Sequence, residues 1–261
     1  MVSGRASREA RRRKIEEARL RVAREQATHR AVRVGGLVIV VVVAIMAGFL
    51  YLDGHHTGTA SADTTATPGN LGLDNSVKEG EDGAGVKVVI YEDFQSPDSA
   101  DFETTNRDQL AAWVKSGDVQ VQYRPIALLD DKSADSYSTR ALNAVGAVVN
   151  AGPDSFVEFH NLLFDNQPDE GGAGLTDDQL VEYATKAGAD EATVRTIVSA
   201  QTYKTWTAEV TGAATAAGIT TTPAVQVNGT TLKKTDKKSF VAAVKKAIAK
   251  AAEADTTVSE K

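Results

Sequence analysis

Two serines three residues apart, Ser96 and Ser99, lie in the run F-Q-S-P-D-S at residues 94–99, where a hydrophobic strand-like stretch gives way to a helical one. Serine before proline, with an acid in the next position, is a helix-start signal: Ser96 caps, Pro97 takes the first helical position and Asp98 sits in the first turn. Both hydroxyls are thus expected at a helix N-terminus, beside backbone N–H groups that have no partner within the helix. A thiol at such a place would be held as a thiolate by those groups and the helix dipole, ready to exchange with disulfides. A hydroxyl neither ionises usefully at neutral pH nor forms an S–S bond. The chain of 261 residues contains no cysteine, which excludes dithiol redox chemistry and disulfide cross-links and leaves stability to an ordinary core.

Other chemistry-bearing residues form no pattern. His29, His55, His56 and His160 show no paired ligand spacing, and Asp130, Asp131 and Asp135 miss the calcium-loop pattern with its glycine. No metal and no cofactor is expected from these spacings. A Ser-His-Asp set cannot be assembled from spacing. Asn228-Gly229-Thr230 matches a glycosylation sequon, but its role in a turn suffices. Trp113 and Trp206 read as core.

The elements that must position Ser96 and Ser99 follow from periodicity. Residues 86–91 (V-K-V-V-I-Y) read as a buried strand, 97–116 as a helix with Phe102, Leu110, Trp113 and Val114 on one face, and 119–126 as a second strand. These make a βαβ unit with a right-handed crossover. Five helices are expected over 136–150, 154–166, 176–187, 190–199 and 203–217. Thr176 and Asp190 serve as caps, and Gly188 closes the third of these helices. After Pro223, residues 224–227 and 230–233 flank Asn228-Gly229, a strong hairpin signal because a type I′ turn needs positive φ at both central residues. A last helix is expected over 237–252, with Phe240, Val241, Val244, Ala247 and Ile248 on one side. The order is βαβ, a helical block, then ββα.

Three segments in that order carry a family resemblance: Y-E-D-F-Q-S-P-D-S (91–99), F-V-E-F-H-N-L-L-F (156–164) and T-T-P-A-V-Q-V-N-G (221–229). Together they resemble the DsbA-like thioredoxin-fold family of bacterial thiol-disulfide oxidoreductases, over residues 86–252. The resemblance implies a thioredoxin-like α/β fold split by a helical insertion. It places Ser96 and Ser99 at the two cysteine positions of the C-P-x-C motif, and Pro223 at the cis-proline that faces it. The family's activity is lost with the cysteines. What it leaves is a groove in which an extended chain can pair as an added strand, with Phe94, Ser96, Pro97, Thr222 and Pro223 as peptide-binding positions.

Charge sets the expected location. Residues 1–33 carry 11 Lys or Arg against 4 Glu, a net of +7, and residues 53–261 carry 18 against 31 acidic residues, a net of −13. Between them residues 34–52 hold no charge, and 19 residues at about 1.5 Å each give a helix of about 28 Å, enough to cross a hydrocarbon core of about 30 Å. The basic flank puts residues 1–33 in the cytoplasm and the remainder outside. A cleaved signal peptide, ending at Ala60-Ser61-Ala62, is disfavoured by the long leader and by an apolar stretch beyond the usual length of about 7–15 residues. Residues 53–85, rich in Thr, Gly and Asp, are expected to be a flexible linker, and residues 253–261 a disordered tail. An acidic domain argues against nucleic acid.

Two functions follow. The first is a redox-dead, membrane-anchored binding, chaperone-like or scaffold protein of the cell envelope, whose partner is an extracytoplasmic polypeptide or envelope protein. The second comes from S-P-D-S, which is similar to the S-P-Y-S turn of kappa-class glutathione transferases and related isomerases, where the serine hydroxyl hydrogen-bonds a glutathione thiolate. Glu92, Asp93, Asp98 and Asp101 would repel an anionic tripeptide there.

Overall fold

The computed structural model describes residues 66–72 and 74–259. The expected cytoplasmic segment and the apolar span at 34–52 lie outside the described residues. Among the described residues no helix is long and apolar enough to cross a membrane.

The order of elements is β1 (Val77–Glu79), β2 (Val86–Glu92), α1 (Pro97–Lys115), β3 (Val119–Pro125), α2 (Tyr137–Val148), α3 (Pro153–Asp165), α4 (Asp177–Lys186), α5 (Glu191–Ala200), α6 (Lys204–Ala216), β4 (Ala224–Val227), β5 (Thr230–Thr231) and α7 (Lys237–Ser259). The strands form one sheet in the order β1-β3-β2-β4-β5. Central β2 runs parallel to β3, with Val86 opposite Val119, and antiparallel to β4, with Val88 opposite Val227. This is a thioredoxin-like α/β fold with helices α2 to α6 inserted between its βαβ and ββα halves.

The near-continuous apolar run of β2 follows from burial on both faces, as expected of a strand in a covered sheet. Val86, Val88 and Ile90 join the main core with Phe102, Leu110 and Trp113 of α1 and Phe240 and Val244 of α7. Val89 and Tyr91 face the other way, onto Ile126, Ala214 of α6 and Ile219. Phe240 wedges the two helices of the first face together, edge-on to Phe102 at 5.0 Å and to Trp113 at 6.0 Å between ring centroids. Trp113 and Trp206 are both buried, as core residues.

Local signals explain the element ends. Thr176 caps α4 through a full capping box with Gln179, and the Asp190 side chain accepts from Thr193 N at the start of α5. Asn228 and Gly229 adopt φ of 47° and 76°. The turn is also latched to β2: Asn228 N donates to the Lys87 carbonyl at 2.9 Å, and Lys87 N donates to Asn228 Oδ1 at 2.7 Å.

Two segments depart from the sequence reading. Residues 53–85 were expected to be a flexible linker, yet Val77–Glu79 forms an edge strand antiparallel to β3. The residues before it are also tied down. Asn70 Nδ2 donates to the carbonyls of Val149 and Asn150, and Trp206 Nε1 donates to Asn75 Oδ1 at 3.2 Å. A three-residue strand in a Gly- and Asp-rich stretch has too short a period to announce itself; pairing with β3 makes it. At the other end α7 continues to Ser259, through residues expected to fray, because the run A-I-A-K-A-A-E-A has high helix propensity and no breaker.

Gly146 on α2 marks where that N-terminal segment packs most closely. A Cβ there would lie 2.4 Å from Tyr203 Cδ2 and 2.9 Å from Pro68 Cγ. Gly146→Ala is expected to destabilise the protein by about 1–3 kcal/mol through overpacking, read as a lower denaturant midpoint at unchanged slope.

Candidate functional site

The turn between β2 and α1 is built by hydrogen bonds that reach into three other segments. The Asp93 carboxylate accepts from Gln95 N at 2.8 Å within the turn, from Leu129 N at 2.9 Å after β3, and from Ser138 Oγ at 2.7 Å on α2. Burial still pushes this carboxyl above its ordinary value, against the pull of the Ser138, Gln95 and Leu129 bonds. From the far side Gln167 Nε2 donates to the carbonyls of Phe94 and Ser96 at 3.0 and 2.9 Å. From sequence Asp93 was noted only for its charge and Gln167 not at all. Their only advance signal is that a short turn flanked by buried residues has backbone groups to satisfy.

Ser96 is the N-cap of α1, with its side chain accepting from Ser99 N at 3.2 Å. Its hydroxyl hydrogen goes across the site to the Thr222 carbonyl, 3.2 Å away. The Thr222–Pro223 peptide bond is cis, so the turn and the proline loop meet as the resemblance implies. Both serines are buried, at 3% exposure for Ser96 and 0% for Ser99. With its proton given to a carbonyl and its lone pair to a backbone amide, the Ser96 hydroxyl is hydrogen-bonded to no base among the described residues that could activate it as a nucleophile. Ser96→Ala removes a cap and an inter-loop bond, and is expected to cost about 1–2 kcal/mol in a thermal melt. Ser99→Ala should cost less, because the one hydrogen bond its hydroxyl makes among the described residues is a 3.5 Å bond from Asp93 N.

A groove of about 470 Å³ opens over this junction. One side is Ser96, Pro97 and Asp98 at the start of α1; another is Thr220, Thr221 and Thr222; Leu128 and Leu129 supply apolar surface, and Glu170 stands at its edge. Thr220 and Thr221 are exposed and Thr222 is half-buried. Four of the five positions expected to bind peptide, Ser96, Pro97, Thr222 and Pro223, thus meet at this junction, and the first three line the groove.

Phe94 does not line it. Its side chain is fully buried, packing 5.2 Å from the ring of Phe164 and edge-on to His160 at 5.9 Å. The chain turns after Phe94, so a large apolar ring at the end of β2 points into the core beneath the groove.

Beyond Phe94 lies a second cluster that spacing alone gave no hint of. Glu92 at the end of β2, Glu103 on α1 and His160 on α3 are all buried, and His160 Nε2 is 2.8 Å from Glu92 Oε1. Burial, aided by the Glu92 charge, pushes the Glu103 carboxyl up to about 8 and raises Glu92 as well, while burial holds the His160 imidazole below its ordinary value.

Comparison with known proteins agrees with this architecture. The family described as thioredoxin matches residues 74–247. Among solved structures, the reduced disulfide bond oxidoreductase DsbG from Mycobacterium tuberculosis shares 28% identity at a TM-score of 0.60, over 70% of this chain and 95% of that one. The oxidised DsbA from the same organism shares 29% identity at 0.58, over 66% and 92%. BdbD from Bacillus subtilis, at 22% identity and a TM-score of 0.61 over 70% and 98%, shows the same fold. No curated protein sequence matches the chain. With the strand order, the capped turn and the cis-proline loop all in place, the chain belongs to the thioredoxin family, in its DsbA-like branch, with Ser96 and Ser99 standing where that branch carries its redox cysteines.

Proposed function

We propose that the protein is a redox-inactive, membrane-tethered, extracytoplasmic binder of extended polypeptide, acting as a chaperone or scaffold in the cell envelope. One observation carries the reading: the groove beside the cis-proline loop is open although the chemistry it would serve is gone. The backbone N–H groups of Thr220, Thr221 and Thr222 make no hydrogen bond within the described residues, so an incoming chain can pair there as an added strand. Leu128, Leu129 and Pro97 offer contact area for one or two side chains. Asp98 and Glu170 favour segments that carry Lys or Arg over acidic ones. Affinity is modest, because ordering an extended segment costs conformational entropy that a small interface barely offsets.

The test is to titrate the protein with two extended peptides of one apolar frame, one Lys-rich and one Glu-rich, and follow amide shifts. The expected shifts are confined to residues near Ser96, Leu128 and Thr220 to Thr222, larger for the Lys-rich peptide and reduced at least about tenfold in affinity by Leu128→Asp. Shifts clustered on α4 and α5 would make the thioredoxin framework only a scaffold and move binding to the inserted helices. A rise in melting temperature with glutathione would favour the transferase alternative, since a ligand that binds only the folded state must stabilise it. Against that alternative, the Ser96 hydroxyl is already committed to Thr222.

Tethering rests on the uncharged run at 34–52 and the change in net charge across it, from +7 to −13. Protease added to intact spheroplasts should remove the folded domain and spare a small membrane-bound stub. Protection of the whole chain would reverse the topology, and a mature N-terminus at Asp63 would show cleavage.

A further inference from the structure

The geometry points to Glu92, Glu103 and His160 as the ligands of a buried divalent cation, with Zn²⁺ the best fit. This site is separate from the peptide groove and does not depend on what the groove binds.

One ligand atom from each residue, two carboxylate oxygens and one imidazole nitrogen, lies within 4.8 Å of the other two. A divalent ion bonded at about 2.0–2.2 Å holds its ligands about 3.3 Å apart in a tetrahedral set. The His160–Glu92 separation of 2.8 Å is already near that value, and the widest gap needs to close by at most about 1.5 Å, which one glutamate side-chain torsion can supply.

The second observation is the state of the oxygens. Glu92 Oε2 and Glu103 Oε1 are buried and have no hydrogen-bond donor among the described residues. Buried acceptors are normally satisfied, and two orphans on carboxylates that face one imidazole call for a positive ligand. The Arg107 charge favours the Glu103 carboxylate, but its guanidinium makes no hydrogen bond to either glutamate among the described residues. Arg107, one turn further along α1, directs Nη1 to Asp165 at 3.1 Å, and its Nε and Nη2 have no hydrogen-bond partner among the described residues.

The surroundings suit a structural site. His160 is enclosed by Phe94, Tyr123, Phe156 and Phe164, with centroids 4.8 to 5.9 Å away. That wall excludes water and fixes the imidazole plane. The donor set also selects the ion. Imidazole with two carboxylates suits Zn²⁺ and other late first-row divalent ions, whereas Ca²⁺ and Mg²⁺ take six or more oxygens. With one carboxylate chelating, four donor atoms are at hand, a closed shell. Bound there, the ion would join the end of β2, α1 and α3, the three elements that frame the Ser96 turn. Because all three ligands are buried, it would enter as the chain folds rather than by exchange with the native state.

The experiment uses the full-length chain. It is unfolded in denaturant with chelator and refolded with Zn²⁺, with Mg²⁺, with Ca²⁺ or without metal, then freed of unbound ions and assayed for metal by mass spectrometry. The expected result is one zinc per chain and no retained calcium or magnesium. The melting temperature should rise by roughly 5–10 °C when free zinc stands 100-fold above Kd. Glu103→Gln keeps the side chain's size and removes its charge, so it should refold with the wild-type circular dichroism spectrum but hold less than about a tenth as much zinc. His160→Asn serves if that variant does not refold. Zinc below about a tenth of an equivalent in the wild type would overturn the assignment. Equal zinc in wild type and both variants would also overturn it, and would place the metal elsewhere, such as at His55 and His56.

Discussion

Ser96→Cys combined with Ser99→Cys should close a disulfide and switch on the redox chemistry that the natural chain lacks. The two positions are three residues apart at the N-cap and first turn of α1, where helix geometry sets Cα atoms about 5 Å apart, within the Cα range of about 4.4–6.8 Å that a disulfide bridges. Their geometry is already set: Ser99 N donates to the Ser96 side chain, and Asp93 and Gln167 hold the turn from both sides. A thiolate at position 96 would inherit the cap position and the dipole, and its pKa should fall below the free-cysteine value of about 8.5. Wild-type protein should show no insulin reduction and no oxidation of a dithiol peptide at any pH. The double variant should lose both titratable thiols under mild oxidant and catalyse both reactions well above background. Two free thiols that persist under oxidant would mean that the turn does not have the geometry described.

Asp93→Ala should produce the largest loss of stability of any single change at the site. The substitution strands three donors at once, Gln95 N, Leu129 N and Ser138 Oγ, in a buried place that water reaches poorly. Each unsatisfied buried donor costs about 1–3 kcal/mol, so a total of about 3 kcal/mol or more is expected. For a domain of this size that corresponds to a fall in Tm of roughly 6–12 °C. Asp93→Asn keeps one acceptor oxygen and should recover part of the loss. Because Asp93 ties the turn to the segment carrying Leu128 and Leu129, the alanine variant should also lose groove binding at temperatures where it is still folded. An alanine variant as stable as wild type would show that the turn is held by packing of Phe94 alone.

Local signals made much of this fold legible before any coordinates. Ser96-Pro97-Asp98 announced the start of α1, Thr176 and Asp190 announced α4 and α5, and Asn228-Gly229 announced the β4–β5 turn. In each case the signal and the structure it specifies lie within a few residues of one another. The edge strand β1 was missed because its reason for existing is β3, about 45 residues later in the chain. Phe94 was placed in the groove because its neighbours in sequence line it, but the chain reverses direction after it. Glu92, Glu103 and His160 come from a strand end and two helices, and no spacing rule links them. The anchoring roles of Asp93 and Gln167 were not legible for a related reason: most of their partners are backbone groups, which sequence does not distinguish.

Ser99, a natural choice for a cross-linking probe from its place in the motif, is fully buried, whereas Asp98 and Thr221 are exposed on opposite sides of the groove. The most direct measurement of the binding role is therefore photocross-linking in intact cells from a photoreactive residue at Asp98 and, separately, at Thr221. A third site, Glu182 on α4, serves as the control. The account predicts adducts with exported, incompletely folded polypeptides from both groove positions, at most traces from Glu182, and loss of the groove adducts in Leu128→Asp. Adducts from Glu182 with none from Asp98 or Thr221 would contradict it.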